Sequence, residues 1–185
     1  SYNLVTTEPQ SMRETVDGYT PARLGRLIEY DEKGSVVWEW KTSKYMKEAD
    51  LAYFEPADTI LRFDPHDNGF FFDEKNSAVY LSYKYMNRII KIDYPGGRVL
   101  NTYGKVYKPG MKSSGAGFFC NQHNMTRTKD NYLLLFNNNV CNTGAPATVL
   151  LMKEPESDAD TLKKVWEYEC PAGGENVFHT TGGSA

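Results

Sequence analysis

The chain has 185 residues, a length suited to one domain, and its net charge of −3 argues against a nucleic-acid or anionic-membrane partner. No apolar run approaches the roughly 18 residues needed to cross a bilayer, and residues 1–10 lack the basic-then-apolar order of a signal peptide. Aromatic residues make up 14% of the chain and favour half-buried strands; with residues 41–51 as the one fair helix-period stretch, the composition predicts an all-β protein.

In chain order, the first predicted strand is "SYNLVTT" from Ser1, followed by a hairpin in "RLIEYDEKGSVVWEW" from Arg26. Next come "FDPHDNGFFFD" around His66 and "AVYLSYKY" from Ala78, then a second hairpin in "RIIKIDYPGGRVLNTY" from Arg88. The two hairpins align without a gap, pairing Arg26 with Arg88, Asp31 with Asp93, Gly34 with Gly96 and Trp38 with Leu100. A third set runs through "FFCNQHNMTRT" around His123, "NYLLLFNN" from Asn131, "ATVLLMKE", a polar turn at 155–161 and "KKVWEYEC" with Trp166. "VFHTTGGSA" from Val177 opens a fourth.

Four short strands recurring at about 57 to 62 residues are the pattern of a β-propeller blade. A sandwich also has evenly spaced strands but does not repeat at so long a period. The expected blade remnants are 1–44, 58–108 and 116–170, with a further blade starting at 176–185. Closure needs about four to eight blades, so the chain is expected to be part of a larger propeller.

The three histidines, His66, His123 and His179, are nearly evenly spaced, and the repeat assigns each to the innermost strand of its blade, facing a central channel. One reading is a repeated structural histidine; another is a shared metal site, against which no Asp or Glu recurs beside them. The reading favoured by their surroundings is an anion-handling or catalytic cluster. Asn68 lies two residues past His66, so strand alternation aims both side chains into one space. Lys84, expected on the adjacent strand, adds positive charge, and Thr180 follows His179. Cys120, Cys141 and Cys170 form no Cys-x-x-Cys pair, so no zinc site is expected; one disulfide plus a thiol, or three free thiols, both remain open.

"HDNGFFFDEKNSAVYLSYKYMNRIIKID" and "FFCNQHNMTRTKDNYLLLFNNN" resemble the bacterial arylsulfotransferase family, through its His-x-Asn and Gln-His segments, and "KKVWEYEC" and the final "GGSA" fit as well. The resemblance runs from about Gly25 to Ala185. It implies a six-bladed propeller in the periplasm or outside the cell, which moves a sulfuryl group from an aryl sulfate to a phenol through a sulfated histidine, without nucleotide donor or other cofactor. By position it makes His123 the nucleophile and gives His66 and Asn68 the sulfuryl oxygens, with Lys84, His179 and Thr180 as further substrate contacts. Two departures stand out. Lys84 falls where the family has an arginine, and Asn137-Asn138-Asn139 replaces an Asp-Asn-Gly turn. The partners expected are the small-molecule aryl sulfate and phenol; a homo-oligomer would use parts of the protein outside these residues. The rival reading is a non-catalytic propeller scaffold binding a ligand or protein, because fold alone does not give function.

Overall fold

Strands dominate the computed structural model, which describes residues 2–5, 11–15, 18–22, 24–46, 64–105, 114–157 and 159–171. The chain divides into two units, Ser1–Asp67 with Tyr107–Gly110, and Asn68–Val106 with Met111–Ala185.

In the first unit, β1 (Tyr2–Val5), β4 (Arg26–Tyr30) and β5 (Val36–Lys41) form an antiparallel sheet in the order β1-β4-β5. Between β1 and β4 the chain makes a separate hairpin of β2 (Ser11–Thr15) and β3 (Gly18–Ala22), which the repeat does not predict. Asp31 turns β4 into β5 by accepting the backbone N–H groups of Lys33 and Ser35 on its carboxylate. Gly34 completes that turn in the left-handed region, at φ 80°. The helix-period stretch yields one helical turn, α1 (Thr42–Tyr45); residues 47–51 lie outside those described.

The second unit holds two four-stranded antiparallel sheets, each a meander in chain order, which is the form of a propeller blade. The first runs β6 (Asp67–Asp73), β7 (Ala78–Tyr83), β8 (Arg88–Asp93) and β9 (Val99–Gly104). The second runs β10 (His123–Arg127), β11 (Tyr132–Asn137), β12 (Thr148–Lys153) and β13 (Lys163–Glu169). Every residue of β7 is buried, as expected of an interior strand covered on both faces. Ala78, Tyr80, Ile89 and Tyr103 of one sheet pack with Met125, Leu133, Leu135, Leu150 and Met152 of the other in a single apolar core.

Polar groups cross the same interface. Glu154, 6% exposed, accepts from the Tyr80 hydroxyl (2.7 Å), the Tyr103 hydroxyl (2.7 Å), Lys91 Nζ (3.2 Å) and Arg127 Nε (2.9 Å). Arg127 also pairs with Asp73, whose carboxylate caps the turn into β7 through Asn76. Buried charge is tolerable here because each partner is paired and hydrogen-bonded. Burial and the Glu154 carboxylate together hold both phenols well above the ordinary tyrosine range.

The structure shifts the alignment of the hairpins by one residue. Gly97, not Gly96, answers to Gly34: it has φ 77° and donates to the Asp93 carbonyl, as Gly34 does to that of Asp31. The extra turn residue pushes Leu100 into a β-bulge, and Asn101, paired with Lys91, takes the place that Trp38 occupies opposite Glu29. Trp166 does match Trp38, standing opposite Leu151 beside an equivalent bulge.

Candidate active site

The backbone gives the entry to each inner strand its own signature. His66 (φ 55°) and Asn121 (φ 53°) are both left-handed, and each precedes a residue whose side chain reaches back into the preceding sheet or its edge. After His66 that residue is Asp67, whose Oδ2 accepts from the Thr42 hydroxyl at 3.2 Å. Gly25 makes room for it, since a Cβ there would stand 1.8 Å from Asp67 Oδ2. After Asn121 it is Gln122, wholly buried, whose Nε2 donates to Ser82 Oγ and to the carbonyls of Tyr83 and Arg88, at 3.0 to 3.1 Å. The side chains of Asp73 and Thr128 then accept backbone N–H groups in the turns that follow. His66 is therefore the counterpart of Asn121, and Asn68 the counterpart of His123. The even histidine spacing suggested otherwise. His66 and His123 do not share a structural position, and His66, left-handed and outside β6, escapes the alternation that would aim it with Asn68.

His66 is half-buried at the end of the first unit, its backbone N–H donating to Asp64 Oδ1 at 2.7 Å. In the second unit Asn68 reaches the segment that carries His123: its Nδ2 donates to the Gln122 carbonyl at 2.5 Å, one residue before His123. Asn68 Oδ1 is buried without a hydrogen-bond partner among the described residues. At His123, Nδ1 lies 3.2 Å from the Asn121 carbonyl and 3.0 Å from Asn138 Nδ2. Neither Asn121 nor Asn138 stood out as a site residue in the sequence.

Two further ties hold the segments bearing these groups. Cys120 and Cys141 form a disulfide, leaving Cys170 as a free thiol among the described residues. Asn137 Oδ1 accepts from the backbone N–H groups of Cys120 (2.8 Å) and Asn139 (3.1 Å), while its Nδ2 donates to Thr148 Oγ1 (3.1 Å). An aspartate could accept those two bonds and take a third from the Thr148 hydroxyl, so the asparagine keeps the same three ties with the last one reversed.

Lys84 lies in the β7–β8 turn rather than on the strand, because β7 ends at Tyr83 and the chain reverses between Tyr83 and Arg88. It is 5% exposed, its Nζ sits 5.3 Å from the centre of the Tyr85 ring, and burial lowers its pKa. Arg88, in the same hairpin, is fully buried and donates from Nε to the Lys105 carbonyl. His179 and Thr180 lie outside the described residues. Among those described, no three His, Cys, Asp or Glu side chains are grouped to hold a metal, and no helix is long and apolar enough to cross a membrane.

Residues 3–182 match the family model described as arylsulfotransferase (ASST). No curated protein matches the sequence. Among solved structures, the chain is similar to a selenomethionine-substituted virginiamycin B lyase from Staphylococcus aureus, at 12% identity and a TM-score of 0.36, over 94% of this chain and 47% of that one. The chain thus spans about half the length of that solved protein.

Proposed function

Because this chain belongs to the arylsulfotransferase family, we propose that it carries the nucleophile of a ping-pong sulfuryl transfer from an aryl sulfate to a phenolic acceptor. In the first half-reaction the Nε2 lone pair of His123 attacks sulfur. The sulfur–oxygen bond to the aryl group breaks, and the phenolate leaves with its electron pair and takes up a proton. In the second, a phenol gives up its proton and its oxygen attacks the same sulfur, so that the nitrogen–sulfur bond breaks and its electron pair returns to Nε2. Proton, sulfuryl group and electrons balance over the cycle with no cofactor.

The observation that supports this reading is the engagement of His123 through Nδ1 by the Asn121 carbonyl and Asn138, since a nucleophilic histidine needs its second nitrogen held by another group. Asn68 keeps a second amide hydrogen beyond the one given to Gln122, and we assign it to a sulfuryl oxygen. His66 is assigned to the oxygens or to proton relay, and Lys84 to charge, as a point cation in place of the planar arginine fork. His179 and Thr180 would add contacts from the next repeat. The Cys120–Cys141 disulfide suits an oxidising compartment, the periplasm or the exterior.

The test is donor-only incubation of the full-length protein with a chromogenic aryl sulfate, followed by peptide mass spectrometry. One sulfuryl group is expected on the peptide containing His123, absent after His123→Ala. Asn68→Ala should still label, but about 100-fold more slowly, as for loss of one oxyanion donor. Labelling that persists in His123→Ala would overturn the assignment.

A further inference from the structure

Nδ1 of His123 faces two groups of opposite kind: the Asn121 carbonyl at 3.2 Å, which only accepts, and the Asn138 amide nitrogen at 3.0 Å, which only donates. The Asn138 amide has one workable orientation. Its Nδ2 also donates to the Asn121 carbonyl, at 2.8 Å, and turning the group round would press two oxygens together. With two hydrogens, that nitrogen serves the carbonyl and the ring at once. Asn138 is 4% exposed, and its Oδ1 is buried without a partner among the described residues, so water does not readily replace the arrangement.

Asn138 weights the neutral ring toward hydrogen on Nε2, because a hydrogen on Nδ1 would face the Asn138 N–H donor to donor, while the Asn121 carbonyl favours hydrogen on Nδ1. With hydrogen on Nδ1, the ring donates to Asn121 and its lone pair is on Nε2; with hydrogen on Nε2, Nδ1 accepts from Asn138. Asn121 stands beside Cys120, and Asn138 lies between Asn137 and Cys141, so the disulfide and the Asn137 bonds fix both jaws relative to each other.

We infer that Asn138 and the Asn121 carbonyl form a tautomer clamp on His123, and that Asn138 is a positioning residue for the transfer, an inference that rests on the nucleophilic role proposed for His123. The clamp has a consequence for the covalent state. A sulfated ring that keeps hydrogen on Nδ1 is a good leaving group and surrenders its sulfuryl easily. Once that proton passes to solvent the ring leaves poorly until a proton returns to Nδ1 during transfer to the phenol, and the Asn138 N–H is the donor that stabilises the deprotonated Nδ1. Asn138 therefore protects the intermediate from water until a phenol arrives.

Nitrogen-15 spectra of the His123 ring, in the full-length protein without substrate, test the clamp directly. Asn138→Leu and Asn138→Ala both remove the donor, one at nearly constant volume and one by truncation, so a folding defect in one leaves the other informative. Both should move the tautomer balance toward Nδ1–H, and both should shorten the acceptor-free lifetime of sulfated His123 about tenfold, the weight of one hydrogen bond. An unchanged balance in both variants would overturn the clamp, even if His123 labels normally. A shifted balance in a protein that never labels would support the clamp and overturn the transfer reading instead.

Discussion

Asp67 sits between the two residues first singled out, His66 and Asn68, yet its carboxylate points the other way, toward Gly25 and Thr42. Burial pushes its pKa from 3.8 to about 7, with Asp64 adding repulsion and the Thr42 hydroxyl and Gly25 backbone pulling the other way. Its Oδ1 has no partner among the described residues, which also disfavours the ionised form. The sign follows from linkage: between 3.8 and about 7 the unfolded chain binds fewer protons than the folded one, so stability falls as pH rises through that window. At about 1.4 kcal/mol per pKa unit, the loss is at most about 4 kcal/mol. Thermal melts across this range should show Asp67→Asn losing the slope and gaining stability over the wild type above about pH 7. A wild-type melting temperature flat across the window would contradict it. The sequence could not expose this residue's role, nor the pairing of His66 with Asn121. Asparagine and histidine are enriched in the left-handed region but take it up far less decisively than glycine, so tertiary contacts settle which of them adopt it.

Between neighbouring elements, one carboxylate gathers polar groups from four strands of the two four-stranded sheets. Glu154 accepts from β7, β8, β9 and β10 through Tyr80, Lys91, Tyr103 and Arg127. Glu154→Ala would leave a buried guanidinium with Asp73 alone and two buried hydroxyls short of an acceptor, and should cost about 3–5 kcal/mol in denaturant unfolding. Glu154→Gln keeps the shape and one acceptor oxygen, so its loss should be smaller. Equal, negligible losses would contradict a stabilising role for Glu154 at this joint. The strands themselves were legible as apolar runs such as "AVYLSY" and "TVLLMK", although the alternating burial of the second does not show in its residue types. Register was less so. Asp31 and Asp93 align by identity, but a turn longer by one residue displaces every position after it, which is how Leu100 came to be matched with Trp38.

Across the whole chain, the repeat and the aromatic content were sufficient to read an all-β class and its four-stranded sheets, because each blade repeats the same burial problem. The segments carrying Asn68 and His123 stood out in the sequence, but the contacts around them did not. Gln122, Asn121 and Asn138 act through a backbone carbonyl, a loop after β11 and contacts between sheets, none of which a linear repeat displays. The central claim is that His123 stores a sulfuryl group between two separate phenol exchanges. Rapid mixing of the full-length protein with a chromogenic aryl sulfate, with no acceptor present, measures this most directly. The account predicts a burst of free phenol equal to about one per protein, followed by slow turnover, with the burst missing in His123→Ala. Phenol release that begins only when an acceptor is added, or a full burst in His123→Ala, would contradict it.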